Sequence, residues 1–340
     1  MINKQNQLYM KQLTFISMGT LLLLALLSCE GGERGQDGTE LRHVQIDLWS
    51  GAVLTRAREV TDQQESAVTE CALYVFSRDG RMVGCHTSRS GLFDFYLTDE
   101  TYDFVAVANK AELPSSLTRD ELYALPTRLD ENAPGRFVMV GALPNHVVQS
   151  DEKLTVGVKR VVSKVSYKIR TKFTGTLATK PFTVDEIYLT NVAGENVLGL
   201  SGPAAGSDRW HNRLDRTASA GSALDELLYG RLGAAMAPVD SIWSGHTFYI
   251  YPNASTDSHD KSAWSPRCTR FVVKATLDGK TTYYPVTIPV AVSNKHYHID
   301  LTISNYGVDH PEDLPQESAY LDAVVSVTAW EDGGTISEEY

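Results

Sequence analysis

The chain has 340 residues, 42% of them hydrophobic and 21% charged, and a formal net charge of −11. A chain of this length can bury a sizeable core and, at about 150 residues per domain, points to two domains. The apolar fraction excludes a disordered chain, and an acidic balance without a basic block argues against nucleic acid as a partner.

In chain order, the first feature is an address. Lys4 and Lys11 precede an apolar run containing Phe15, Ile16 and Leu21 to Leu27. A charged start followed by a short apolar segment is a secretory signal. Translation from Met1 and from Met10 both leave such a signal. The run closes on Leu26-Leu27-Ser28-Cys29, which resembles a bacterial lipobox, whose cysteine thiol is diacylated before the chain is cut on its N-terminal side. On this reading residues 1–28 are signal peptide and Cys29 carries the acyl chains (palmitate). Lipid attachment makes the chain anchored to a membrane rather than spanning it. Residues 29–41 are acidic and glycine-rich, and read as a flexible tether.

Cys71, Cys85 and Cys268 remain in the mature body. An odd count in an exported protein leaves at least one thiol free. With Asp79-Gly80 as a two-residue turn, 74 faces 85 and 71 faces 88. Cys71 and Cys85 then point to opposite faces and do not pair. No Cys/His spacing matches a zinc site.

The periodicity of the body is mostly two. Val44, Ile46 and Leu48 alternate with His43, Gln45 and Asp47. Cys71 to Phe76 and Met82 to Cys85 flank Asp79-Gly80, a hairpin signal. Leu92 to Leu97 and Tyr102 to Ala108 read as strands. Leu154, Val156 and Val158 alternate, and Val161, Val165, Tyr167 and Ile169 do so on other positions, which places a boundary near Arg160. The expected domains are residues 42–160 and 161–340. Later strands are expected over 182–191, 246–251, 270–277, 281–292, 296–304 and 321–330, with Asp278-Gly279 as a second hairpin signal. Thr118 and Glu121 form a capping-box pattern before a short helix, and residues 222–232 are expected to form another. Many short strands and little helix specify an all-β chain of two β-sandwiches.

The search for chemistry yields little. No Gly-x-Ser-x-Gly elbow, phosphate loop or Gly-x-Gly-x-x-Gly fingerprint is present, and no cofactor is implied. His296 and His298 share a strand face and could grip one ion, but the favoured reading is a strand whose outward face carries the polar residues His296, His298 and Asp300, with no metal. The adjacent acids Asp99-Glu100, Asp185-Glu186 and Glu338-Glu339 lack the set separation that paired catalytic carboxylates need. The absence of these motifs does not exclude an enzyme, but it removes any positive reason to propose one, and a non-enzymatic chain is expected.

Several segments resemble the FimA-like fimbrillins, the type V pilins of Bacteroidales. The lipobox at Cys29 fits. Val53-Leu54-Thr55-Arg56-Ala57-Arg58, just beyond the first strand, is similar to that family's arginine-protease site. Leu73 to Phe76 with Arg78-Asp79-Gly80 resembles its first hairpin, and Phe104 to Lys110 its Val-Ala-Asn strand. Val156 to Tyr167, Ile187 to Val192, Phe248 to Asn253, Ser293 to Ile303 and Val325 to Trp330 are similar in order and spacing.

The resemblance implies two transthyretin-like β-sandwich domains in tandem and a mechanism. The precursor is a lipoprotein of the outer membrane. An Arg-specific protease cuts after Arg56 or Arg58 and removes the first strand, with Val44, Ile46 and Leu48. A strand from the C-terminal region of another fimbrial subunit fills the groove, giving a homo- or heteropolymer on the cell surface that serves adhesion. The donor would be Leu321, Ala323, Val325, Val327 and Ala329, or a weak strand around Thr335 to Tyr340. The ten residues after Trp330 are acidic and poor strand formers, which favours a fimbrial subunit over a shaft subunit in particular. The alternative is a surface lipoprotein that binds glycans through exposed aromatics, with Trp49, Trp210, Trp243, Trp264 and Trp330 available.

Overall fold

A computed structural model describes residues 40–50, 64–199, 209–214, 226–255, 266–313 and 321–330. The strands in chain order are β1 (Leu41–Trp49), β2 (Cys71–Ser77), β3 (Met82–Ser88), β4 (Leu92–Thr98), β5 (Thr101–Ala108), β6 (Pro126–Arg128) and β7 (Met139–Val147). They continue with β8 (Glu152–Gly157), β9 (Lys159–Arg160), β10 (Ser163–Lys172), β11 (Phe182–Thr190), β12 (Val192–Ala193), β13 (Glu195–Val197) and β14 (Trp210–His211). The last are β15 (Tyr229–Met236), β16 (Val239–Ser244), β17 (Phe248–Ile250), β18 (Arg270–Leu277), β19 (Lys280–Thr287), β20 (Lys295–Ile303) and β21 (Leu321–Ala329).

The first sandwich packs a three-stranded sheet, β4-β1-β8, on a five-stranded sheet, β3-β2-β5-β7-β9. Strands β2 and β5 are buried along nearly their whole length, because both of their faces are covered. One face carries Phe104, whose ring meets Phe95 of β4 at 6.4 Å. The other carries Tyr74, whose hydroxyl donates to the Pro114 carbonyl, and Asp103, which pairs with Arg119. A strand covered on both sides reads as a continuous apolar run, whereas β4, open on one face, alternates. Arg119 belongs to the short helix α1 (Arg119–Tyr123), which starts with the expected capping box of Thr118 and Glu121.

The second sandwich packs β16-β10-β20-β21, with β17 beside β10, on β15-β11-β18-β19. Tyr167 of β10 meets Phe271 of β18 at a centroid distance of 5.0 Å, and Ile169, Ile299, Leu301, Ile187 and Val273 are fully buried around them. The two sets of sheets divide between Arg160 and Ser163, yet one hydrophobic core runs through both. They are also stitched by the β6–β13 pair and by the Tyr251 hydroxyl, which bonds Thr127 and Asn132 at 2.9 and 3.0 Å.

The β2–β3 hairpin holds the expected register, with Tyr74 opposite Cys85 and Cys71 opposite Ser88. It reaches that register by two compensating steps. Gly80 adopts φ +81° and the Ser77 N–H bonds the Arg81 carbonyl, which makes a three-residue loop in place of the expected two. A bulge between Val75 and Phe76 then restores the count. Asp278 and Gly279, at φ +49° and +79°, form the two-residue turn of the β18–β19 hairpin. All three cysteines of the body are free.

Two expectations are corrected. Residues 222–232 do not form one helix: Glu226–Leu228 is a single 3-10 turn, and Tyr229 onward is strand β15. Alternation of Leu232, Ala234 and Met236, together with pairing to β11, outweighs the weak helical signal. The strand expected over 281–292 ends at Thr287. Pro285 is tolerated because β19 is an edge strand, and Pro289 cannot continue the ladder.

Candidate functional site

The first strand is the middle strand of its sheet. It runs antiparallel to β4, with Val44 opposite Phe95 and Ile46 opposite Phe93. It runs parallel to β8, with Ile46 opposite Leu154 and Leu48 opposite Val156. Val44 and Ile46 are fully buried, and Leu48 packs half-buried against the same core. The outer face is polar: His43 and Gln45 both meet Asp94. At the start of the strand Arg42 makes a bidentate pair with Asp99. These surface contacts contribute little; the apolar row holds the strand.

Arg56 and Arg58 lie outside the described residues, as does Cys29. The chain on either side of that stretch is drawn together: the Ser50 hydroxyl donates to the Ser66 carbonyl at 2.9 Å. Beyond it comes Glu65, only 3% exposed. Its carboxylate accepts from Lys164 Nζ at 2.8 Å, the Tyr249 hydroxyl at 2.9 Å and the Trp330 indole N–H at 2.9 Å. Its backbone carbonyl accepts from Arg160 Nε at 2.7 Å. Burial raises the Glu65 pKa, but the hydrogen bonds and charge of Lys164, with those of Trp330 and Tyr249, outweigh it, and the net shift is downward. Sequence reasoning missed this group. Arg160, read as a break between domains, is 3% exposed and belongs to it.

The candidate donor row occupies the edge of the second sandwich. Among the described residues, strand β21 pairs with β20 alone, in a register that places Val325 opposite Ile299 and Val327 opposite Tyr297. Ala323 is exposed, and Val325, Val327 and Ala329 are only partly covered. The side chain of Leu321 and the segment Thr335 to Tyr340 are outside the described residues. Trp330, just past the strand, is 4% exposed.

His296 and His298 do share the outer face of β20, but both turn to one hydroxyl, Ser166 Oγ, at 2.7 and 2.8 Å. Burial, with Lys164 and His298 nearby, pushes the His296 pKa down to about 4. Among the described residues no three His, Cys, Asp or Glu groups converge as metal ligands. A cleft of about 480 Å³ beside β2 and β3 is lined by Glu70, Cys71, Ser88, Arg89 and Lys110, among others. Its thiol donates to the Ser88 carbonyl, and burial pushes the Cys71 pKa up, the opposite of what a nucleophile needs. Of the tryptophans, Trp49 is exposed, Trp210 and Trp243 are half-buried, Trp330 is buried, and Trp264 is outside the described residues. No helix of the described residues is long and apolar enough to cross a membrane.

No family model matches the chain, and no curated protein matches its sequence. Solved structures do match its fold. A putative cell adhesion protein from Bacteroides eggerthii superposes with a TM-score of 0.62 at 16% identity, over 87% of this chain and 98% of that one. A fimbrilin from Porphyromonas gingivalis gives 0.59 at 17% identity, over 85% and 98%. The tip fimbrial protein Mfa3 from Porphyromonas gingivalis, with a C-terminal truncation, gives 0.54 at 14% identity, over 86% and 100%. The chain thus has the all-β sandwich fold of fimbrillin-like proteins, as its sequence segments implied.

Proposed function

We propose that the chain is a non-enzymatic structural subunit of a cell-surface fimbria, with a role in adhesion, assembled with other fimbrial subunits by strand exchange. The precursor is a lipoprotein acylated at Cys29 and held at the outer membrane. It consists of two sandwiches, residues 42–160 and 161–340. An Arg-specific protease cuts after Arg56 or Arg58, β1 leaves, and a strand from the C-terminal region of a neighbour enters between β4 and β8.

One observation carries the reading. A strand at the very start of the described chain occupies the centre of its sheet, not an edge, and is followed at once by the arginine-bearing stretch. Its loss opens two unpaired backbone rows and an apolar trough at the same time. Such a trough favours refilling by an extended segment with alternating side chains. The fold shared with a fimbrilin and a tip fimbrial protein supports the same assignment.

The test is the N-terminal sequence and intact mass of protein sheared from cells. A start at Ala57 or Glu59 is expected. A start at acylated Cys29, with the protein retained in the membrane fraction, would remove activation from the scheme and leave an anchor or uncut accessory subunit.

A further inference from the structure

We infer that Glu65 is a positioning residue that clamps the C-terminal strand in cis by holding Trp330, and that cleavage in the arginine stretch leaves this clamp closed. The meaning of the clamp for assembly rests on the strand-exchange reading above; its existence does not.

The strand it would hold is weakly held along its own length. Among the described residues, strand β21 has a partner strand on one side only, and its described side chains are exposed or partly covered. Its end is different. The Trp330 ring stacks on Tyr249 at 5.6 Å with an interplanar angle of 18°, meets the edge of Phe137 at 5.4 Å, and lies 4.4 Å from the Arg160 guanidinium carbon. Its backbone N–H donates to the Asn294 carbonyl at 3.1 Å, and its carbonyl accepts from Arg160 Nη1 at 3.1 Å. The indole N–H is satisfied by Glu65 Oε2. One carboxylate therefore organises the pocket: it pairs with Lys164, orients Tyr249 and receives Trp330. Removing it would leave Lys164 and the indole N–H with their acceptor gone in a water-poor site.

Glu65 follows Arg56 and Arg58 in the chain, so it stays with the body when the segment before it is cut away. Freeing β1 and freeing β21 are then separate events, and the second requires Trp330 to leave its pocket. An acceptor groove can exist on a subunit whose own C-terminal strand is still docked.

Hydrogen exchange on the full chain, before and after limited trypsin cleavage, tests this. In the wild type, amide protection of residues 322–329 is expected to survive the cut. Glu65→Gln and Trp330→Ala are each expected to reduce it at least tenfold, with β10 and β11 unchanged, and Glu65→Asp to restore part of it. Exchange of β21 within twofold of wild type in both variants would overturn the clamp, as would release of β21 by the cut alone. If Glu65→Gln loses protection everywhere, Tyr249→Phe takes its place. It keeps the ring and deletes one bond to the carboxylate, and a several-fold loss confined to β21 is expected, while no change refutes the clamp. Sedimentation of the cut wild type reads polymer formation separately. No polymer with β21 still released by Glu65→Gln sinks strand exchange alone; polymer with β21 unaffected by the substitutions sinks the clamp alone.

Discussion

Removing β1 is the perturbation with the largest expected consequence. Val44 and Ile46 are at 0% and 1% exposure, and burying each side chain contributes about 1.5–3 kcal/mol. Leu48, half-covered, adds about 1 kcal/mol. Deletion of residues 41–49 therefore forfeits about 4–7 kcal/mol of apolar burial, before counting the two ladders to β4 and β8. Whole domains are stable by about 5–15 kcal/mol. The deleted protein should therefore either lose its first sandwich or cover the trough with another chain. Light scattering after size exclusion should show dimers or larger species, and thermal unfolding should begin at least ~8 °C lower, taking about 2–4 °C per kcal/mol. A synthetic peptide of residues 41–49 should return the monomer and the stability. The same peptide with Val44 and Ile46 replaced by Asp should not. A deleted protein that stays monomeric with an unchanged transition would refute the argument that this strand fills a necessary groove.

Other outcomes follow from the same structure. Acid should act in two windows. His296 titrates at about 4 when folded against 6.5 unfolded, so it stays neutral in the fold and stability falls as pH drops from 6.5 towards 4. Glu65 is shifted down from 4.5; its contribution is complete above that value and is lost as pH falls through the folded pKa. His296→Asn should flatten melting temperature against pH in the first window, and Glu65→Gln in the second. Cys71 and Cys85 have pKa values raised by burial, so a thiol reagent at neutral pH should label the folded body slowly and Cys71, Cys85 and Cys268 together in denaturant; rapid labelling of Cys71 would contradict the burial argument. Thr118→Ala, which breaks the capping box, should cost about 0.5–2 kcal/mol in chemical denaturation. Tyr96→Ala, at a side chain 63% exposed, should stay within about 0.5 kcal/mol of wild type.

Local chemistry was legible wherever the partner lay close in sequence. The Asp79-Gly80 signal located the first hairpin and its register, although the loop length and bulge that produce the register were not visible. The capping box at Thr118 is a three-residue interaction and was equally readable. Strand β7 was not, because Gly141, Pro144 and Asn145 interrupt any alternation and its register shifts against β5. Strand β15 was obscured by leucines whose spacing suits a helix until pairing with β11 decides the matter. The Glu65 cluster was beyond reach altogether. Its partners lie 99, 184 and 265 positions away, and a glutamate between Gln64 and Ser66 looks like any solvated loop residue. Arg160 marked a real discontinuity, since strands divide there, but its burial came from the far C-terminus. Of the candidate site, the apolar row of β1 and the edge row of β21 could be read from alternation; the cluster that holds the end of β21 could not.

If subunits assemble by the proposed strand exchange, the mixed neighbours of β1 carry a consequence for its direction. A segment lying between β4 and β8 in the sense of β1 meets one antiparallel and one parallel flank. A segment entering head to tail would meet the same two kinds of flank, exchanged. Backbone pairing is thus nearly indifferent to which way the newcomer points. Polarity of a fibre built on this groove has to be read from the size and order of the side chains that enter the trough, and from what the ends of the segment meet.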